Sequence, residues 1–446
     1  MILPAAGDTR LLAHGIGGRE DLPIPFSYAL LGAVIVLVVS FLAVGLLWRT
    51  PRLDGARAGR PLPPPVQTVL DSPALRTALR LLGLAATAYV AVAAVFGPDV
   101  AANPVPGVVY VLFWVGLVPL SLLFGPVWRL VNPLRTLHLL LARVLRTAPE
   151  QGLLPYPAWL GYWPAAVGLL AFAWLELVAP DNTTVPVLRT FFLVYAGFNL
   201  LAAAVFGSRW FDRGDGFEVY STLVGRLSPL GRRADGRFVL RAPLQGLDTV
   251  PVAPGVVATV CVVLGTTAFD GLSNAPSWVR FVQSGVLGQV SAGTFGLLGC
   301  VAAFAAAYLV AALLSGRLSD GGRRSLPRLF AHSVVPIAVG YVVAHYFSLL
   351  LFEGQRTLML LSDPLVNGAN VFGTAERGVD FTLASPATIA VVQVVAVVSG
   401  HVIGVVSAHD RAVRLFPRRQ AVRGQLPLLL LMVGYTLTGL TLLFAA

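Results

Sequence analysis

The chain alternates between long apolar stretches and short polar ones. Ten apolar stretches stand out, at 25–48, 78–97, 107–124, 156–178, 187–206, 252–270, 289–315, 329–352, 386–408 and 426–445. Each is about long enough to cross a roughly 30 Å hydrocarbon core at about 1.5 Å per helical residue. None contains a run of charges, and none shows the ten-residue alternation of a barrel strand. In lipid the backbone must satisfy its own hydrogen bonds, so such segments are helices. The pattern predicts an all-α, polytopic transmembrane helix bundle of about ten spans.

Composition sharpens this. Hydrophobic residues reach 56% and charged ones only 12%, about half the charged share of an ordinary soluble protein. Every basic residue is Arg, and the net charge is +11. With the amino terminus outside, the loops 49–77, 125–155, 207–251, 316–328 and 409–425 lie in the cytoplasm. Those loops, with Arg80 at the start of the second span, hold every Arg except Arg10, Arg19, Arg189, Arg280, Arg356 and Arg377. Positive charge marks the inner side, so both termini are expected outside. The charge thus reports orientation, and a nucleic-acid partner is not implied; the expected partner is the lipid bilayer.

The segments between spans divide the chain further. Residues 1–24 form an external segment with some features of a signal-peptide remnant, and 25–206 carry the first five spans. Asn132-Pro133 is a helix N-cap followed by proline at the first helical position. It opens an interfacial amphipathic helix over 133–147, with Arg135, Arg143 and Arg146 facing anionic headgroups. Residues 51–65 read as an extended linker. The 207–251 segment is expected to be a cytoplasmic loop, with a short helix over 216–227 capped by Asp215 and a strand at Phe238–Arg241. Residues 252–446 carry the last five spans and an external loop at 353–385.

Ionisable groups inside spans are costly and point to function. His345 leads, in the outer half of the eighth span, with Tyr341 and Ser348 one turn away on its face. His401 lies in Gly400-His-Val-Ile-Gly404, a spacing that also lets a neighbouring helix approach closely. Glu176 is near the outer end of the fourth span, Asn199 lies inside the fifth, and Asp270 closes the sixth. His345, Asp363 and Glu353 are the catalytic candidates if the protein is a hydrolase. His401, Glu176, Asn199 and Asp270 are candidates for a substrate or ion path. His332 and His409 are expected at the inner boundary. Cys261 and Cys300 lie in spans and suit packing, with no zinc-type spacing around them.

Several stretches carry a family resemblance. They are Ala13-His-Gly-Ile-Gly-Gly-Arg-Glu-Asp-Leu-Pro-Ile-Pro-Phe26, Trp128-Arg-Leu-Val-Asn-Pro-Leu-Arg-Thr-Leu137 and Leu154-Pro-Tyr-Pro-Ala-Trp-Leu-Gly-Tyr-Trp-Pro164. Ala344-His-Tyr-Phe-Ser348, Ser362-Asp-Pro364, Phe372-Gly-Thr-Ala375, Gly400-His401, Ala408-His409 and Leu431-Met-Val-Gly-Tyr-Thr436 follow. Together they resemble the fenitrothion hydrolase family of bacterial membrane proteins. The chain departs from that pattern at Val342, where members often carry a second histidine, and at Leu134, where a tryptophan follows Asn-Pro.

The resemblance implies a multi-pass protein of the bacterial plasma membrane that hydrolyses organophosphate triesters at an outward-facing cavity. A hydrolase of that kind would use a divalent metal to activate water, with His14 and His345 as weak ligand candidates. The alternative is a transporter or permease whose intramembrane His and acidic residues form an ion or proton path. A further alternative is a non-catalytic assembly subunit with a membrane-protein partner.

Overall fold

The computed structural model describes residues 21–316, 325–417 and 420–444. Among the described residues, nine helices are long and apolar enough to cross a membrane, accompanied by one shorter apolar helix. The chain opens with α1 (Phe26–Leu47), α2 (Pro73–Phe96) and α3 (Val105–Phe124), followed by the amphipathic α4 (Pro133–Val144). The short apolar α5 (Trp163–Leu177) and α6 (Val185–Phe206) precede α7 (Gly216–Val224). The second half holds α8 (Val256–Ser273), α9 (Gln289–Ser315), α10 (Val335–Leu360), α11 (Pro386–Leu415) and α12 (Leu426–Leu443). The strands β1 (Arg60–Pro61), β2 (Leu230–Arg232) and β3 (Phe238–Leu240) form a small antiparallel sheet in the order β1-β3-β2, with Gly231 opposite Val239.

Local sequence chemistry sets the helix starts. Ser72, Asn132 and Ser385 each accept a backbone N–H of the first turn, and proline follows each of them. A proline there lacks only an N–H that has no helical partner, and its φ is already helical. Asp215 caps α7 in the same way through the amides of Phe217 and Glu218.

The spans differ from the hydropathy reading in four places. The fourth is helical only over Trp163–Leu177, because Pro155, Pro157 and Gly161 turn the chain before it. Gly161 has φ +46°, and a Cβ there would lie 2.2 Å from the carbonyl oxygen of Pro254. The third is π-helical at Val108–Val115, widening the helix where Trp114 enters the core. The eighth runs on to Leu360, so Glu353 belongs to α10 and not to an external loop. The ninth runs on to Leu415, so His409, Asp410, Arg411 and Arg414 are helical.

Burial separates centre from periphery. The most apolar windows of α8 and of the α10 region are 78% buried, against 11% for α2 and 17% for α1 and α6. The peripheral helices expose Leu46, Leu47, Phe96, Leu193, Leu201 and Phe295. Apolar side chains exposed in such numbers along whole helices suit lipid rather than water. The α10–α11 pair has the most extensive contact among the helices. A Cβ on Gly340 would lie 2.5 Å from the carbonyl of Ala396, and one on Gly400 2.5 Å from that of Pro336. The glycine spacing in α11 is therefore a packing seam.

The Arg-rich segments meet at one end of the bundle. Asp410 accepts from Trp48 Nε1, Arg52 N and Leu53 N, while Asp248 pairs with Arg411 and Arg414. The 207–251 segment is more than a loop on that end. Eight of the nine residues of α7 are buried, and α7 packs against α3, α5 and α10 inside the bundle.

Candidate functional site

The central site lies where α8 and α10 face each other. Asp270 is part of the last turns of α8, and its side chain turns inward rather than capping the helix end; it is 1% exposed. Its Oδ2 accepts two hydrogen bonds, from His345 Nε2 at 2.8 Å and from Tyr346 Oη at 2.7 Å. The Tyr346 ring stands edge-on to the imidazole, with centroids 4.8 Å apart. With Nε2 donating, the other imidazole nitrogen, Nδ1, is the acceptor of the neutral ring. Among the described residues Nδ1 has no hydrogen-bond partner.

Glu176, on α5, is half-buried, and its backbone carbonyl accepts from Asn182 Nδ2. Tyr220 arrives on α7 and stacks on Trp114, with centroids 4.8 Å apart. A segment expected in the cytoplasm thus contributes a buried tyrosine to the bundle.

Below this group the α10–α11 seam carries further polar residues. The Tyr341 hydroxyl approaches the backbone of α8 at Gly271, where a Cβ would lie 3.1 Å away. A cavity of about 10 Å³ follows, lined among others by Tyr341, Ile337, Phe304, Tyr435 and His401. That is room for about one water molecule. His401 Nδ1 donates to the carbonyl of Val397 at 2.8 Å, leaving Nε2 as an acceptor. Neither His401 Nε2 nor the Tyr341 hydroxyl has a partner among the described residues. From the antiparallel register of the seam, His345 and His401 differ in depth by about 14 Å at about 1.5 Å per residue. His332 lies beyond, its ring nitrogens 3.1 Å and 3.2 Å from the carbonyls of Leu329 and Ser407. His409 follows near the Arg-rich end, between the carbonyl of Trp48 and the side-chain amide of Gln425. His332 and His409 are both buried within the bundle.

The remaining candidates do not join this site. Glu353 lies two turns beyond His345 on α10, 4.0 Å from Arg356. Asp363 holds a turn in the connection after α10, accepting from Asn367 N at 3.0 Å and Gly368 N at 2.8 Å. Those amides hold its carboxyl below the usual carboxylate range. The trio His345, Asp363 and Glu353 is therefore not assembled. Asn199 spends both ends of its amide on structure, donating to the carbonyl of Tyr195 and accepting from Trp210 Nε1. His14 falls outside the described residues.

Among the described residues no group of three or more His, Cys, Asp or Glu side chains is placed to hold a metal ion. At the central site the imidazole nitrogen facing Asp270 is already hydrogen-bonded to it, and a histidine with one carboxylate falls short of the usual three protein ligands. Among the described residues, the side chains at the central site do not fit a catalytic metal.

A second buried polar group ties α4 to α7. Asn132 Nδ2 donates to Asp215 at 2.8 Å and to Glu218 at 3.1 Å. Arg135 pairs with Glu218 and Asp212, and the Tyr195 hydroxyl donates to Asp215. Both carboxylates of this group, on Asp215 and Glu218, have their hydrogen bonds made, which is the signature of a structural clamp.

Sequence reasoning named His345, Asp270 and Glu176 but missed Tyr346 and Tyr220. Helical spacing favours neighbours three or four residues away, so Tyr341 and Ser348 drew the attention. Asp270 instead bridges the consecutive residues His345 and Tyr346 from another helix. No family model, curated protein or solved structure matches the chain.

Proposed function

We propose that the chain is a membrane transport protein that conducts protons along the α10–α11 seam, with Asp270 and His345 as the outer protonation site. The observation that carries this reading is the buried Asp270–His345–Tyr346 group. An ionisable pair deep in an apolar bundle costs stability and is kept for a task. His345, Tyr341, His401, His332 and His409 follow one another along the same seam, and the cavity between Tyr341 and His401 accepts one bridging water. We place both termini outside, with ten spans in a bacterial plasma membrane. The docking of the Arg-rich segments on one another at one end supports that orientation.

Purified protein in vesicles with an inside-negative potassium diffusion potential tests the reading. Proton uptake, followed with a trapped pH dye, is expected from the natural chain and not from Asp270→Asn or His401→Phe. Uptake no greater than in protein-free vesicles overturns it.

A second reading rests on the acceptor nitrogen of His345. Asp270 orients the imidazole through Nε2, leaving Nδ1 to take a proton from a water molecule, which is general-base chemistry. Together with the fenitrothion hydrolase resemblance, this supports hydrolysis of a phosphotriester. Nitrophenolate release that is lost in His345→Ala favours this reading; no release from the natural chain removes it.

A further inference from the structure

The groove between α2 and α4 lies at the Arg-rich end, away from the central site. It encloses about 460 Å³ and is lined by Arg80, Leu81 and Leu84 of α2 with Leu140 and Arg143 of α4. Thr136 and Thr147 line it as well. Arg80 is half-buried and Arg143 exposed. Neither guanidinium has an ion-pair or hydrogen-bond partner among the described residues, and no carboxylate lines the groove. Arg80 and Arg143 thus line one space without a counter-charge, and an anion there is attracted by both. Arg presents a planar fork that matches a phosphate group.

The surroundings decide which phosphate. The leucines lining the groove continue into an exposed apolar face of α4, formed by Leu137, Leu141 and Val144. A free phosphate ion gains nothing from that face, whereas acyl chains cover it. The asymmetry fits α4 lying in the interface with its apolar side in the acyl boundary.

We propose that this groove binds one anionic phospholipid, its phosphate between Arg80 and Arg143 and its chains along Leu84, Leu140 and the outer face of α4. Native mass spectrometry of the full chain in detergent tests it, with phosphatidylglycerol and phosphatidylcholine of identical acyl chains in competition. Phosphatidylglycerol is expected to be retained about tenfold over phosphatidylcholine, since each interfacial Arg contributes a comparable electrostatic gain. The preference is expected to fall to near unity in Arg80→Gln/Arg143→Gln and to persist in the control Arg57→Gln/Arg237→Gln. Inorganic phosphate in millimolar excess is expected to leave the bound lipid in place. Equal retention of the two lipids by the natural chain overturns the proposal, and that comparison needs no variant to fold. An unchanged preference in the Arg80/Arg143 variant, or displacement by inorganic phosphate, overturns it as well.

Discussion

Removing the carboxylate at the centre of the site gives the most direct test of its geometry. In Asp270→Ala, His345 Nε2 and Tyr346 Oη lose the acceptor they share. In a water-soluble protein each stranded buried donor costs about 1–3 kcal/mol, giving about 2–6 kcal/mol for the two. Inside a bilayer the unfolded helices find other partners, and measured side-chain bonds average about 0.6 kcal/mol with a maximum near 1.7. The second scale applies here, so the expected loss is about 1–3 kcal/mol. The assay is unfolding in mixed micelles by added dodecyl sulfate, followed by tryptophan fluorescence, on Asp270→Ala, Tyr346→Phe and the double variant. Residues that share a hydrogen bond should show a coupling energy of at least about 0.5 kcal/mol. Two effects that add within about 0.3 kcal/mol, or an Asp270→Ala protein as stable as the natural chain, would refute the bridging geometry.

Arg135→Leu leaves Glu218 buried without its cation and should destabilise the protein by about 3–5 kcal/mol, while Arg135→Leu/Glu218→Leu should recover part of that loss in the same micelle titration. Gly400→Leu pushes a side chain into the carbonyl of Pro336 and should cost about 1–3 kcal/mol; Gly299→Ala, with nothing within 4 Å of its Cβ, should lower the melting temperature far less. The carboxyl of Asp363 sits below its ordinary 3.8, so the turn it holds is stabilised above that value and loosens as pH falls through the lower folded value. Hydrogen exchange should show protection of the Asn367 and Gly368 amides at pH 6 and its loss under strong acid. For topology, in a Cys261→Ala/Cys300→Ala background a cysteine at Phe372 should label in intact cells and one at Ala56 only after permeabilisation; the reverse result would invert the orientation.

Much of the fold was legible in the order of residues because membrane helices are chosen one at a time. A stretch of about 20 apolar residues satisfies its backbone internally and needs no partner to be helical. The caps at Asn132 and Asp215 were equally local, since the side chain and the amides it accepts lie within three residues of each other. The boundaries that failed were those set by distant contact. Glu353 and Asp410 read as loop residues by polarity, yet α10 and α11 continue through them. At Asp410 the side chain reaches the amides of Arg52 and Leu53 from the far end of the chain.

The candidate site divides in the same way. That His345, Asp270 and Glu176 are costly where they stand follows from their neighbours in sequence alone. That Asp270 faces two consecutive residues of α10 follows only from the packing of α8 against α10. Nothing local marked α7 as part of the bundle, because a nine-residue helix rich in small and aromatic residues suits a cytoplasmic loop equally well. Its burial depends on the space beneath the short α5 and on the Asn132–Arg135 clamp that anchors its start. Hydropathy by itself determined which segments form long apolar helices, since lipid selects each segment separately. The tertiary structure decided which polar groups meet, since hydrogen bonds across helices depend on register and close approach.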